Sequence, residues 1–251
     1  MELWVDDSGV DAGSDESPVV LLHPGIADSR IWDPLLPQLV GHRVIRFDRR
    51  GFGRSPRATT SYSALGDLVA VLDDLGIERA HLVGNSMGGE TALALAVTAP
   101  DRVATLTLLC PGINGYPWPD DDDPDLEARW TAAKEAGDLA TLSAIQVDHW
   151  LASGSDDYLE DQVRRATELD HSPAAAFEEP NPEQWSHLPD LRVPTTVIAG
   201  ELDPADSLRA SVDLAARIPG ALLVRLPVDH VPQYREPGAV AEAILATVAR
   251  A

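Results

Sequence analysis

Apolar runs that alternate with helical text predict an α/β fold, with a mostly parallel central sheet flanked by helices and a helical lid inserted into it. Three observations carry this. Short apolar runs of strand length recur without polar alternation, which suits strands buried on both faces. Segments with a 3.6-residue period lie between them, and strand followed by helix implies parallel pairing through right-handed crossovers. The rhythm then breaks between Pro111 and Leu188 and returns afterwards.

The early strand text is Val19 to Leu22, Val44 to Phe47, His81 to Val83 and Val103 to Leu109, with helical text over Leu65 to Leu75 and Thr91 to Val97. The late text is Val193 to Ala199, a helix over Ser207 to Arg217, Leu222 to Leu226, and a last helix from Ala239 to Val248. Residues 1–110 and 189–251 therefore read as one core domain. Residues 111–188 read as the lid: a Pro- and Asp-rich stretch containing the acidic run Asp120 to Asp123, then helical text from Leu126 through Leu169 with no convincing strand. Trp118, Trp130, Trp150 and Trp185 put four of the six tryptophans there, as expected of a pocket roof or of packing onto the core.

Composition narrows the function classes. The chain has 251 residues with 44% hydrophobic and 24% charged, ordinary values that exclude disorder and collagen-like structure. The balance of 19 basic against 41 acidic residues gives a net charge of -22, a field that repels nucleic acid and anionic membrane. No stretch of 18 apolar residues occurs and no signal-like segment opens the chain, so a cytoplasmic location is expected. Cys110 is the only cysteine, which rules out an intrachain disulfide and a multi-cysteine zinc site. No His pair at i, i+4 and no Gly-x-Gly-x-x-Gly opening a βαβ unit is found, so neither a metal nor an organic cofactor is expected.

The strongest local signal is Gly84-Asn85-Ser86-Met87-Gly88, a Gly-x-Ser-x-Gly between strand and helix text. A serine on a sharp strand-to-helix turn exposes its hydroxyl, and glycines two residues either side supply the room such a turn needs. The hydroxyl requires a base to take its proton, and the base a carboxylate to orient it. Downstream, Gly200-Glu201-Leu202-Asp203 and Asp229-His230 each follow a strand, where open parallel sheets place their ligands. Ser86, Asp203 and His230 are thus the candidate nucleophile, acid and base. Glu201 and Asp206 compete with Asp203, while His42 and His81 suit packed or solvated roles and His149, His171 and His187 fall in the lid.

An acyl-transfer intermediate also needs donors for its oxyanion. The N–H of Met87 is one, and Gly25 or Ile26 supplies the other because Pro24 has none; Gly25 is preferred. Ile26, Trp32, Trp118, Trp150 and Val231 are candidate substrate contacts by position, with packing under the first loop the stronger expectation for Trp32.

These landmarks, with the turn Asp48-Arg49-Arg50-Gly51-Phe52-Gly53-Arg54-Ser55, resemble the α/β-hydrolase fold superfamily in its small, lid-bearing serine hydrolase branch, along nearly the whole chain. The turn is expected to be structural. Two departures stand out. The family's usual His-Gly-x is His23-Pro24-Gly25 here, and its usual Gly-His is Asp229-His230, which sets a carboxylate in sequence beside the base where it would raise the imidazole's pKa. The resemblance implies hydrolysis of a small carboxylic ester, lactone or thioester through an acyl-enzyme. The same triad also serves carbon–carbon bond hydrolysis, haloperoxidase, perhydrolase and lyase chemistry on this fold, and a ligand receptor that no longer turns over is the alternative outside enzymes. A small-molecule substrate is the expected partner, and oligomeric state is not readable.

Overall fold

The computed structural model describes residues 3–9, 17–118 and 124–251; the run Asp120 to Asp123 lies outside them. The chain runs β1 (Val5–Asp7), β2 (Val19–Leu22), β3 (Val44–Phe47), β4 (Tyr62–Ser63), α1 (Ala64–Asp74), β5 (Ala80–Asn85), α2 (Met87–Thr98) and β6 (Val103–Leu109). It continues through α3 (Pro124–Ala136), α4 (Leu139–Trp150), α5 (Asp157–Asp170), β7 (Glu178–Glu179), β8 (Thr195–Gly200), α6 (Ala205–Arg217), β9 (Leu222–Leu226), α7 (Pro232–Arg235) and α8 (Pro237–Val248). Seven strands form one sheet in the order β1-β3-β2-β5-β6-β8-β9, parallel throughout except for β1.

Side chains alternate between the two sheet faces and build two cores. Val20 and Leu22 join one core with α1, α2 and α6; Val19 and Leu21 join the other with α8 and the short turn Ser29–Trp32. Apolar residues at every strand position are what burial on both faces demands, and β2, β5, β6 and β8 are buried along their full length. β1 lacks that signature. Its Asp6 pairs with Arg46 of β3 and its Asp7 with Arg43 just before that strand, so the edge strand is held by charge as well as by its ladder.

α3, α4 and α5 fill the interval between β6 and β8, where the rhythm of the sequence broke. α4 and α5 start on aspartate caps, Asp138 accepting from Thr141 N–H and Asp156 from Leu159 N–H. The interval also holds a strand that its helical text does not announce. β7 pairs in parallel with β4, two residues each, too short to leave a period in sequence. No helix among the described residues is long and apolar enough to cross a membrane.

Candidate active site

β5 delivers Ser86 to the carboxyl end of the sheet in a backbone conformation that serine seldom adopts, φ 52° and ψ -119°. Three hydrogen bonds hold it there: Ser86 N–H donates to Leu109 O at 2.9 Å, and Ser86 O accepts from Glu90 N–H at 2.9 Å and Gly112 N–H at 3.0 Å. The flanking glycines are sterically required. A Cβ on Gly84 would collide with the Gly88 carbonyl, and one on Gly88 with the Leu22 carbonyl. The turn is therefore wedged between its own helix and the end of β2.

His230 follows β9 and is buried. Its Nδ1 lies 2.8 Å from Asp203 Oδ1, its N–H donates to Trp150 O at 3.3 Å, and the Trp150 ring lies against the imidazole, tilted by 38° with centroids 4.2 Å apart. Asp203 enters from the turn after β8, where a Cβ on Gly200 would lie 2.6 Å from Asp229 O, so the turn and the base loop touch. Of the competing acids, Glu201 is exposed and Asp206 accepts from Ser207 N–H at the start of α6.

Asn85 and Gln233 connect these parts, and the motif reading missed both. Asn85 is fully buried; its Nδ2 donates to Leu109 O at 2.9 Å and to His230 O at 3.0 Å, and its Oδ1 accepts from Gln233 Nε2 at 2.9 Å. The residue before Ser86 thus grips the loop carrying His230. A polar residue ending an otherwise apolar strand was the available signal.

Asp229 turns away from the imidazole. Its carboxylate meets Arg235 Nη2 at 2.8 Å and accepts from Ser153 N–H at 3.0 Å, so the neighbouring charge expected to act on the base is neutralised by a guanidinium. Arg235 also donates to Gly154 O.

The oxyanion loop is fixed from below. His23 Nδ1 donates to Pro24 O at 2.8 Å and Nε2 accepts Arg49 N–H at 2.9 Å, which requires a neutral ring. Burial holds its pKa down at about 4, with Arg49 adding to the shift. Gly25 lies directly under the Met87 thioether, where a Cβ would strike the sulfur, so the two expected donors are neighbours. Met87 opens α2, a helix end with unspent N–H groups. The turn after β3 is structural: Asp48 accepts from Ser29 N–H at 3.0 Å and Arg54 N–H at 2.8 Å.

The expected substrate contacts divide. Trp150 lies on His230, and Ile26 and Val231 are buried beside the oxyanion loop and the base. Trp32 is fully enclosed in the core formed with Val19, Leu21 and Leu35, because the wide space beside β2 needs a large apolar filler. Trp118 is 44% exposed and packs edge-on against Tyr116, whose hydroxyl donates to Asp213 on α6, a flank remote from the imidazole. His81 is also structural, paired with Thr105 Oγ1 across β5 and β6.

Cys110, at φ 42°, completes a trio with Asp203 and His230 whose donor atoms lie within 4.8 Å of one another. Burial pushes its thiol pKa well up, and His230 Nδ1 is already hydrogen-bonded to Asp203. The largest cavity described, about 630 Å³, opens beside Val103 and Pro194 at the opposite end of the sheet. Nearer the site, a cavity of about 390 Å³ lies among α3, α4 and α5 and is lined by Trp150.

The alpha/beta hydrolase fold family matches residues 18–237. Rhodomycin D methylesterase DnrP of Streptomyces peucetius is 30% identical, over 89% of this chain and 87% of its own. The 2-hydroxy-6-oxononadienedioate/2-hydroxy-6-oxononatrienedioate hydrolase of Paraburkholderia phymatum is 32% identical, over 84% of this chain and 79% of its own. Among solved structures, Est816, described as an N-acyl homoserine lactone degrading enzyme, superimposes with a TM-score of 0.76 at 29% identity, covering 97% of this chain and 96% of that one.

Proposed function

Because this chain belongs to the alpha/beta hydrolase fold family, we propose that it is a serine hydrolase of small carboxylic esters, lactones or thioesters, with Ser86, His230 and Asp203 as its triad. The observation that carries this reading is the strained Ser86 turn tied through Asn85 to a buried His230–Asp203 pair. Ser86 Oγ attacks the carbonyl carbon while His230 Nε2 takes the hydroxyl proton. Asp203 holds the Nδ1–H tautomer and balances the imidazolium charge. The oxyanion is received by Met87 N–H and Gly25 N–H. Collapse expels the alcohol, which leaves with the proton from His230. Water, deprotonated by His230, then attacks the acyl-serine and restores the hydroxyl.

Residues 111–188 act in this reading as a lid whose α3, α4 and α5 enclose the substrate. Among the described residues, the cavity beside Trp150 is lined by Glu127 and Asp170 and by neither lysine nor arginine. Such a wall opposes a dioate of the kind named for the Paraburkholderia relative and favours esters or lactones that carry no negative charge.

The test is a serine-directed fluorophosphonate, read by intact mass on the wild type and Ser86→Ala. One adduct on the wild type and none on the variant is expected. An unlabelled wild type overturns the reading.

A further inference from the structure

The cavity among α3, α4 and α5 carries more than a place for apolar groups. Trp130, Trp150 and Ile145 give it aromatic and aliphatic walls, and Glu127 and Asp170 give it two carboxylates. Its volume, about 390 Å³, falls within the range of small-ligand sites. Asp170 is the last residue of α5, and the Trp150 wall is the end of α4, so two helix C-termini turn their negative ends toward it. Glu127 sits in the first turn of α3 and offsets that helix's positive end.

Asp170 accepts no hydrogen bond from any described residue, and the nearest guanidinium, Arg49, is committed to Glu178 at 2.5 Å. Asp170 is solvent-exposed at the cavity rim, and partial desolvation raises its carboxyl's pKa against the opposing pull of Arg49 and His171. Aromatic faces beside unneutralised carboxylates attract organic cations.

The cavity adjoins the chemistry through one side chain. Trp150 lines it and lies against His230, the group that hands its proton to the departing alcohol. Asp170 stands between this cavity and a smaller one that Met87 lines. A group seated here therefore belongs to the alcohol side of the ester.

We propose that this cavity is a subsite for a positively charged alkylammonium group in the alcohol part of the substrate, held between Trp130, Trp150 and Asp170. The proposal rests on the hydrolase reading above and narrows its substrate class to esters of amino alcohols.

The test compares acetylcholine with dimethylbutyl acetate, its isostere in which carbon replaces the charged nitrogen. The cationic ester is expected to show kcat/KM about tenfold higher. Asp170→Asn should cut that ratio at least to about a third. A ratio of one or less, or a ratio unmoved by Asp170→Asn, overturns the proposal. A second measurement needs no turnover: calorimetric titration of Ser86→Ala with choline and with dimethylbutanol. Tighter binding of choline, lost in the Asp170→Asn double variant, supports the subsite, and equal binding refutes it. Should neither ester be cleaved and Ser86 resist the fluorophosphonate, the hydrolase reading fails, and the titration still decides whether the cation subsite exists.

Discussion

Removing the Asn85 side chain tests whether the Ser86 turn and the His230 loop are held as one piece. Asn85→Ala deletes the two donations to Leu109 O and His230 O and the acceptance from Gln233 Nε2, all within 2.9 to 3.0 Å and fully buried. Leu109 O keeps its bond from Ser86 N–H, but His230 O and Gln233 Nε2 are left without partners in a site closed to water. At roughly 1 kcal/mol each, the low end for orphaned groups, destabilisation is about 2 kcal/mol. For a domain of this size that lowers Tm by about 4 to 8 °C. His230 loses the bond that fixes its backbone to the nucleophile's strand, and kcat/KM should fall about a hundredfold, the scale of a 1 Å misplacement. Thermal unfolding and the rate on a nitrophenyl ester measure the two effects. Gln233→Leu added to Asn85→Ala removes the stranded amide, whose Oε1 is already without a partner, and should recover about 1 kcal/mol of stability but not the rate. A Tm within about 2 °C of wild type would refute the reasoning, because two buried groups cannot lose their partners so cheaply.

Two further predictions concern the supports of the site. His23 has a folded-state pKa of about 4, below its unfolded value of about 6.5, so between these pH values the unfolded chain binds a proton that the folded chain refuses. Stability is full above about pH 6.5 and falls as pH drops toward 4, by about 3 kcal/mol; His23→Gln, which keeps an acceptor for Arg49 N–H, should flatten that limb in urea midpoints measured across the window. Arg235→Ala strands the fully buried Asp229 carboxylate and should cost about 3 to 5 kcal/mol in denaturant unfolding. Asp229→Asn added to it should recover much of that loss, since a neutral amide is far less costly to bury than an unpaired charge.

The sheet was legible where burial is complete on both faces. β6 falls at the residues its apolar run predicts, and β5, β8 and the late helices within two residues. β1 was illegible because two of its three residues are aspartates that pair with arginines on or just before a distant strand, a pairing with no local trace. Gly84, Ser86 and Gly88 were readable because a strained turn restricts residue type through backbone clashes, and such clashes act within a few positions. Asn85, Gln233 and the Asp229–Arg235 pair act through contacts that the fold creates, two of them spanning more than 140 residues between Asn85 and the loop after β9. Trp32 shows the same limit from the other side. A tryptophan near a catalytic loop looks the same in sequence whether it faces substrate or core.

His230 leans on the end of α4 twice, through its N–H to Trp150 O and through the indole tilted against its ring, and Asp229 and Arg235 bind Ser153 and Gly154 just beyond. The inserted helices are therefore not an exchangeable cassette. A chimaera that grafted another relative's segment between β6 and β8 would cut four anchors of the His230 loop, so that segment of this chain cannot be exchanged without also exchanging residues 150–154 together with 229–235.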